Sequence, residues 1–287
     1  SEAHPGLIYA SVRGFGDSGP YSSFKAFDPV AQAMGGAMSI NGERGAPPLR
    51  LGLTLGDTGA GVHCALGIVS AYVQRLRTGR GQRVEISMQE AVVNYARTVI
   101  AGAQRLGKPA RRDGSRIAIM VPSDLYACAP GGDNDYAYII VSTPTMLGRL
   151  LESVGRPDLA GKPEPSDPKE RRGWGEELRA AIGEWTGERD KFTVMETLEG
   201  NGVPCGAVLD TSELLANLHL RERGLISTLE HPTLGRIDVP GSPVRLSGSS
   251  VEMTPAPLLG QHNREVYAEL LDLGEAELAE LAEAGVI

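Results

Sequence analysis

Asp57 is the best candidate for a reacting group in this chain. It stands within Leu51–Gln82, LGLTLGDTGAGVHCALGIVSAYVQRLRTGRGQ, where a strand-like run meets an amphipathic helix pattern. A carboxylate there can be presented at the mouth of a sheet, and its small neighbours Gly56, Gly59 and Gly61 let a ligand approach the backbone. Asp is also a preferred helix N-cap, so the same residue reads equally as a cap, and the two readings are compatible. Other chemistry-bearing patterns are missing. There is no GxxxxGK[ST], HExxH, GxSxG or paired CxxC. The string Gly14, Gly16, Gly19 lacks the strand-helix context of a dinucleotide fingerprint. The five histidines show no metal-ligand spacing, so no metal site is expected. His63 lies one and a half turns beyond Asp57 and reads as a satisfied helix histidine.

The elements around these residues must position them. At 287 residues the chain can bury a real core and is expected to form more than one lobe. With 41% hydrophobic and 22% charged residues it has the composition of a globular protein. A net charge of −8 gives the surface as a whole no case for nucleic acid or an anionic membrane, although a local basic pocket could still take phosphates. No run of about 18 apolar residues occurs and SEAHPG has no signal-peptide pattern, so a cytoplasmic protein is expected. The three cysteines, Cys64, Cys128 and Cys205, are scattered and odd in number, against a disulfide framework. Cys64 is expected as a small core residue.

Leu7–Val12 reads as a strand and Asp28 onward as a helix with an Asp-Pro start. Leu49–Leu55 is expected as the strand before Asp57. Gly59–Leu76 follows as a helix, with Val62, Ala65, Leu66, Ile68, Val69, Tyr72 and Val73 at helical spacing and a stop at Gly79. Gln82–Met88 alternates as a strand and Gln89–Leu106 reads as one long helix. The basic stretch Gly107–Arg116, GKPARRDGSR, marks a lobe boundary and reads as a solvated linker or a phosphate contact. Beyond it come strands at Leu125–Cys128 and Tyr136–Val141, a helix over Pro144–Val154, a surface loop over Gly161–Gly173, and helices over Glu176–Trp185 and Lys191–Glu199. Gly202–Val208 leads into a strand. From Leu214 a helix precedes strands at Leu225–Glu230, Gly235–Val239 and Pro243–Ser247, then two helices within Asn263–Ala284 broken near Gly274. The expected division is 1–106, carrying Asp57 and a long linker helix; 107–213, a small α/β domain; and 214–287, strands and helices returning to the first part.

Several of these stretches resemble the family III CoA-transferases, the group that includes formyl-CoA and carnitine CoA-transferases. The matching segments are LIYASVRGFGDSGPY, FKAFDPVAQAMGGAMSINGE, PPLRLGLTLGDTGAG, RTGRGQRVEISMQEAVVNYAR, GVPCGAVLDTSELL, HPTLGRIDVPGSPVRLSG and APLLGQHNREV. The resemblance implies an α/β fold with a Rossmann-like large domain and a smaller α/β domain. It implies CoA transfer from an acyl-CoA to a carboxylic acid, with Asp57 forming an aspartyl anhydride and then an aspartyl-CoA thioester. Backbone donors among Gly56–Gly61 would stabilise oxyanions. Lys25 matches a lysine along the CoA path, Phe27 an aromatic near the thioester, and Gly56 and Gly59 join them as ligand-contacting positions. No permanently bound cofactor is expected, the CoA thioester being substrate. The related acyl-CoA racemases place a histidine in the segment of Phe27-Asp28; Phe cannot move a proton. Racemase or dehydratase-like activity, and a catalytically silent truncated subunit, remain alternatives. The resemblance also implies an interlocked homodimer, and in full-length members a Rossmann-like segment of roughly 100 residues before the match to Leu7. A second subunit could supply that segment. Family members carry a glycine-run lid, for which the nearest features here are Asp113-Gly-Ser115 and Gly131-Gly-Asp-Asn134.

Overall fold

A computed structural model describes residues 3–117, 119–160, 164–249 and 251–287. They fall into two compact units, Ser1–Gly131 with Asp135–Ala207, and Gly132–Asn134 with Val208–Ile287.

The first unit opens with β1 (Tyr9–Arg13), followed by helices α1 (Asp28–Met34), α2 (Ala37–Ile40) and α3 (Leu55–Thr78), and then β2 (Arg83–Ser87). The two strands pair in parallel, Tyr9 opposite Arg83 through Arg13 opposite Ser87, so the helices form a crossover of the βαβ kind. The expected strand at 49–55 does not form. The side chain of Gln32 takes that segment's backbone groups instead: its Oε1 accepts from Leu51 N at 3.0 Å and its Nε2 donates to Leu53 O at 2.8 Å. With those groups satisfied from α1, the segment needs no neighbouring strand.

Helix α3 has 24 residues and ends at Gly79 in the left-handed conformation (φ 71°), with Arg75 and Arg77 in its last turn as their charge prefers. Its buried stripe is made of small residues, Gly56, Gly59, Ala60 and Ala71. Small side chains let the neighbours close in: a Cβ on Gly67 would stand 2.6 Å from Val84 Cγ1, and one on Gly56 would stand 2.9 Å from Ala31 Cβ. The large apolar residues at helical spacing lie on the other side. Val62, Leu66, Val69 and Leu76 are all at least 60% exposed. Cys64 is accordingly half-buried rather than a core residue.

The expected helix over 89–106 is two, α4 (Met88–Tyr95) and α5 (Arg97–Leu106). Ser87 caps α4 by accepting from Glu90 N, and α4 buries Met88, Ala91 and Val92, whereas α5 buries nothing. The bend at Ala96 (φ −87°, ψ 6°) lets α4 stay on the core while the next helix departs from it. The core here is Ala31, Ala37, Ala60, Met88, Ala91 and Val92.

A second, separate core in the same unit is built by β3 (Asp124–Ala127), β4 (Tyr136–Ile139), α6 (Pro144–Ser153), α7 (Pro168–Gly187), α8 (Lys191–Gly200) and β5 (Cys205–Ala207). The strands form an antiparallel sheet in the order β3-β4-β5. Ile139, Leu150, Leu151, Leu178, Ile182, Val194 and Leu198 are fully buried, each stabilising the fold by about 1.5–3 kcal/mol. Helix α7 begins eight residues before Glu176, capped by Asp167, whose Oδ1 accepts from Lys169 N and Glu170 N. The Asp167-Pro168 pair is the start signal overridden by the polar look of 161–173; residues 161–163 lie outside the described set. Burial pushes the Cys205 thiol up to about 12 and raises Cys128 in the same direction.

The second unit holds α9 (Thr211–Ala216), α10 (Leu218–Glu222), the antiparallel pair β6 (Ile226–His231) and β7 (Gly235–Pro240), and α11 (Asn263–Leu271) and α12 (Glu275–Glu283). Asp210 and Glu213 form a capping box on α9. The segment 243–247 makes only an isolated bridge, Leu246 with Ser249, rather than a strand. Among the described residues no helix is long and apolar enough to cross a membrane.

Candidate active site

The N-terminus of α3 is built by a carboxylate other than Asp57. Helix position one is Leu55, and Thr54, in the cap position, makes no side-chain cap bond. Asp28, from α1, fills that role across 28 residues: its Oδ1 accepts the Gly56 N–H at 2.7 Å. Its Oδ2 accepts from Gln32 Nε2, also at 2.7 Å. Asp28 is 5% exposed and Gln32 fully buried, so these bonds form away from water, where charge-assisted geometry counts most. Gln32 then holds the 51–53 segment. One buried relay therefore fixes the approach to α3, its cap and its first turn.

Asp57, third in the helix, is thereby relieved of capping. Its side chain is exposed and forms no hydrogen bond or ion pair with any described residue. The backbone N–H groups of Leu55 and Asp57 likewise find no acceptor among the described residues. The helix thus offers an open carboxylate beside free donors at its positive end.

Phe27 precedes Asp28 and Asp57 follows Gly56, so the hydrogen bond between Asp28 and Gly56 brings the two segments together. Phe27 is 80% exposed, and Lys25 is exposed without a charged partner among the described residues. The loop carrying them is braced by edge-on and tilted contacts among Phe15, Tyr21 and Phe24 and by close approach of Gly14 to Ala26, where a Cβ would meet the Ala26 Cβ at 2.4 Å. Gly56 and Gly59 are buried and accounted for by packing. Gly56 sits under Ala31 and Asp28, and a Cβ on Gly59 would meet Tyr95 Cε2 at 2.8 Å. The Gly56 N–H is already spent on Asp28.

His63 is satisfied, as its position suggests. Its Nδ1 donates to Gly59 O at 2.6 Å, Nε2 accepts from Asn94 Nδ2 at 2.8 Å, and its ring meets Tyr95 edge-on. Among the described residues no group of His, Cys, Asp or Glu is placed to hold a metal ion. Sequence reasoning missed Asp28 and Gln32 as site-builders. The available signal was two polar side chains at i, i+4 on the face of α1 that carries Ala31 into the core.

The chain belongs to CoA-transferase family III, which it matches over residues 1–263. Its activity is CoA transfer. Among its relatives it is 42% identical over 299 residues to the formyl-CoA:oxalate CoA-transferase of Streptomyces coelicolor, covering all of this chain and 72% of that one. It is 35% identical to the enzyme of the same name from Rhodopseudomonas palustris, covering 99% of this chain and 71% of the relative. Among solved structures, a CAIB/BAIF family protein from Brucella suis superposes with a TM-score of 0.79 at 25% identity, over 93% of this chain and 68% of that one. The Mycobacterium tuberculosis protein Rv3272 shares the fold, with a TM-score of 0.71 at 22% identity over 90% and 67% of the two chains.

Proposed function

We propose that Asp57 is the covalent nucleophile of a CoA transfer between an acyl-CoA and a small carboxylic acid. The observation that carries this reading is that Asp28 caps α3 and leaves the Asp57 carboxylate open. An Asp57 oxygen attacks the donor thioester carbonyl; the C–S bond breaks and CoA thiolate leaves with its electron pair, giving an aspartyl anhydride. The thiolate attacks the Asp57 carbonyl carbon, releasing the donor acid as carboxylate and leaving an aspartyl-CoA thioester. The acceptor carboxylate attacks that thioester, thiolate leaves again, and its return to the acceptor's acyl carbon frees Asp57 and forms the new acyl-CoA. Each tetrahedral step places negative charge on an oxygen, and the free N–H groups of Leu55 and Asp57 are the donors assigned to it. Lys25, a flexible cation, serves the CoA phosphates, and Phe27 packs against the thioester end. The chemistry needs no bound cofactor.

Phe27 has no proton to exchange, which disfavours racemisation. Formyl-CoA and oxalate, the substrates in the relatives' names, are the first pair to assay. A cytoplasmic homodimer is the setting we assign. Incubation with an acyl-CoA followed by hydroxylamine trapping and peptide mass spectrometry tests the reading. A hydroxamate on Asp57, absent from Asp57→Asn, is the expected result. Transfer proceeding in Asp57→Asn, or proton exchange without an adduct, would sink it.

A further inference from the structure

Two threonines beside Asp57 forgo the bonds their positions offer. Thr54 stands at the cap of α3 yet makes no side-chain cap bond, whereas Ser87 and Thr143 cap their helices by accepting a backbone N–H. Thr58 lies within α3, where a hydroxyl commonly donates to the carbonyl four residues back. Ser70 and Thr78 of the same helix do so, to Leu66 O at 2.9 Å and Gln74 O at 3.0 Å. Thr54 and Thr58 instead bond each other, Oγ1 to Oγ1 at 2.8 Å, and both are exposed. Two hydroxyls hold two protons, and one of these lies between the oxygens. The other has no acceptor among the described residues. It belongs to the hydroxyl that accepts within the pair, and accepting one hydrogen bond polarises a hydroxyl toward donating another.

Residues three and four apart share a helix face, so Thr54, Asp57, Thr58 and Gly61 form one exposed surface. The other glycines of α3, Gly56, Gly59 and Gly67, would each bring a Cβ to 2.9 Å or less from a neighbour, so packing accounts for them. A Cβ on Gly61 would meet nothing within 4 Å. A glycine inside a helix is destabilising relative to alanine, and no described neighbour asks for one here. Its bare surface leaves room one turn along from the nucleophile. The free N–H groups of Leu55 and Asp57 already serve the single oxyanion of each tetrahedral step, so the hydroxyl proton is one donor more than that oxyanion takes. We infer that the Thr54–Thr58 pair receives a second oxygen of the acid, so that the chain selects acids bearing a hydroxyl, carbonyl or carboxylate on the carbon next to the reacting carboxyl. Side chains at this spacing stand about 5–6 Å apart at Cβ, the span of a two-carbon acid held by Asp57 at one end and a hydroxyl at the other. The inference rests on Asp57 as the nucleophile and names the substrate class of its site.

Initial rates with formyl-CoA as donor and glycolate or propionate as acceptor test it, since the two acids match in size and differ by a hydroxyl for a methyl. The wild type should favour glycolate. In the double variant Thr54→Val, Thr58→Val, which keeps the branched shape at two exposed positions, the ratio of kcat/KM values, glycolate over propionate, should fall about five- to tenfold, the loss of one hydrogen bond. The double variant Thr54→Ser, Thr58→Ser keeps both hydroxyls and should keep the ratio. A ratio unchanged by the valines, an equal loss for both acids included, overturns the inference, as does a wild type that takes propionate as readily as glycolate. Hydroxylamine trapping on the same samples separates the two readings. If no hydroxamate forms on Asp57 in the wild type, the nucleophile reading fails and the acid subsite with it. If the hydroxamate forms in the wild type and the valine variant alike while the ratio stays the same, the hydroxyl pair alone fails.

Discussion

Removing the Asp28 carboxylate should unfasten the start of α3 and the nucleophile with it. In Asp28→Ala the Gly56 N–H, 2.7 Å from Oδ1, loses its acceptor in the buried interior. That loss costs about 1 kcal/mol as a cap. The bond from Gln32 Nε2 to Oδ2, also 2.7 Å, goes as well, and a hydrogen bond to a charged group contributes about 1.5–3 kcal/mol. Gln32 Nε2 keeps its bond to Leu53 O, so that atom is not orphaned. The total is about 3 kcal/mol. Asp28→Asn retains the oxygen that accepts from Gly56 but turns an NH2 toward the Gln32 NH2. Gln32 cannot flip to relieve this without taking its Oε1 from Leu51 N. The Asn variant should therefore lose only the Gln32 bond, about 1.5–3 kcal/mol, and rank between wild type and Ala. Urea unfolding at constant slope measures the order, and Gly56 amide exchange reports it locally, roughly a hundredfold faster in Asp28→Ala if the full cost falls on that turn. Transfer activity should fall in step, because Asp57 is the next residue. Equal costs for the two variants, or an Asp28→Ala cost below about 0.5 kcal/mol as for an ordinary surface change, would refute the relay.

Substituting the glycines of α3 separates stiff neighbours from yielding ones. Gly67→Ala drives a Cβ to 2.6 Å from the branched Val84, an overpacking cost of about 1–3 kcal/mol that exceeds the gain of about 1 kcal/mol in helix propensity. It should destabilise, and Val84→Ala should restore the loss in the double variant. Gly59→Ala meets only Tyr95, which is 51% exposed and can swing outward, so the two terms should cancel; a large loss in thermal midpoint would contradict this. Cys205, pushed by burial from 9.0 to about 12, stays protonated in the folded state where the unfolded chain ionises. The folded state therefore binds the extra proton, and this contribution is complete below pH 9 and lost as pH rises toward 12. Cys205→Ala should flatten that alkaline decline, and in native protein at pH 8 iodoacetamide should label the half-buried Cys64 while sparing Cys128 and Cys205; labelling of all three at similar rates would count against it.

Most elements could be read from local pattern because their causes are local. Gly79 ends α3 because it takes φ 71° without strain, whereas the helix expected from Leu214 starts three residues earlier, at Thr211, where Asp210 and Glu213 form a local bond pair that the expectation misses. The larger misreadings have non-local causes. Leu49–Leu55 alternates like a strand, but strand formation depends on a neighbour's hydrogen bonds, and here a glutamine in α1 supplies them. Periodicity in α3 shows which residues share a face; it does not say which face is covered. The structure buries the Gly/Ala stripe and leaves Leu66 and Val69 outside, because close helix packing against Ala31, Val84 and Tyr95 selects for absent side chains rather than large ones.

The same distinction governs the candidate nucleophile. An Asp at the start of a helix satisfies a cap rule and a catalytic role equally well in sequence, since both ask for a carboxylate near free N–H groups. Only the fold shows that the cap is filled from a distance, by Asp28 bonding Gly56 across 28 residues. That bond has two consequences. It removes the structural demand on Asp57, so an exposed carboxylate at this position contributes little to stability and can be spent on chemistry. It also joins the segment bearing Lys25 and Phe27 to the one bearing Asp57, so substitutions at Asp57 should alter transfer with little change in unfolding midpoint, while substitutions at Asp28 should alter both. A pair of measurements on Asp57→Asn and Asp28→Asn, one thermal and one kinetic, separates the two carboxylates. If Asp57→Asn destabilised the chain as much as Asp28→Asn, capping rather than catalysis would account for its place.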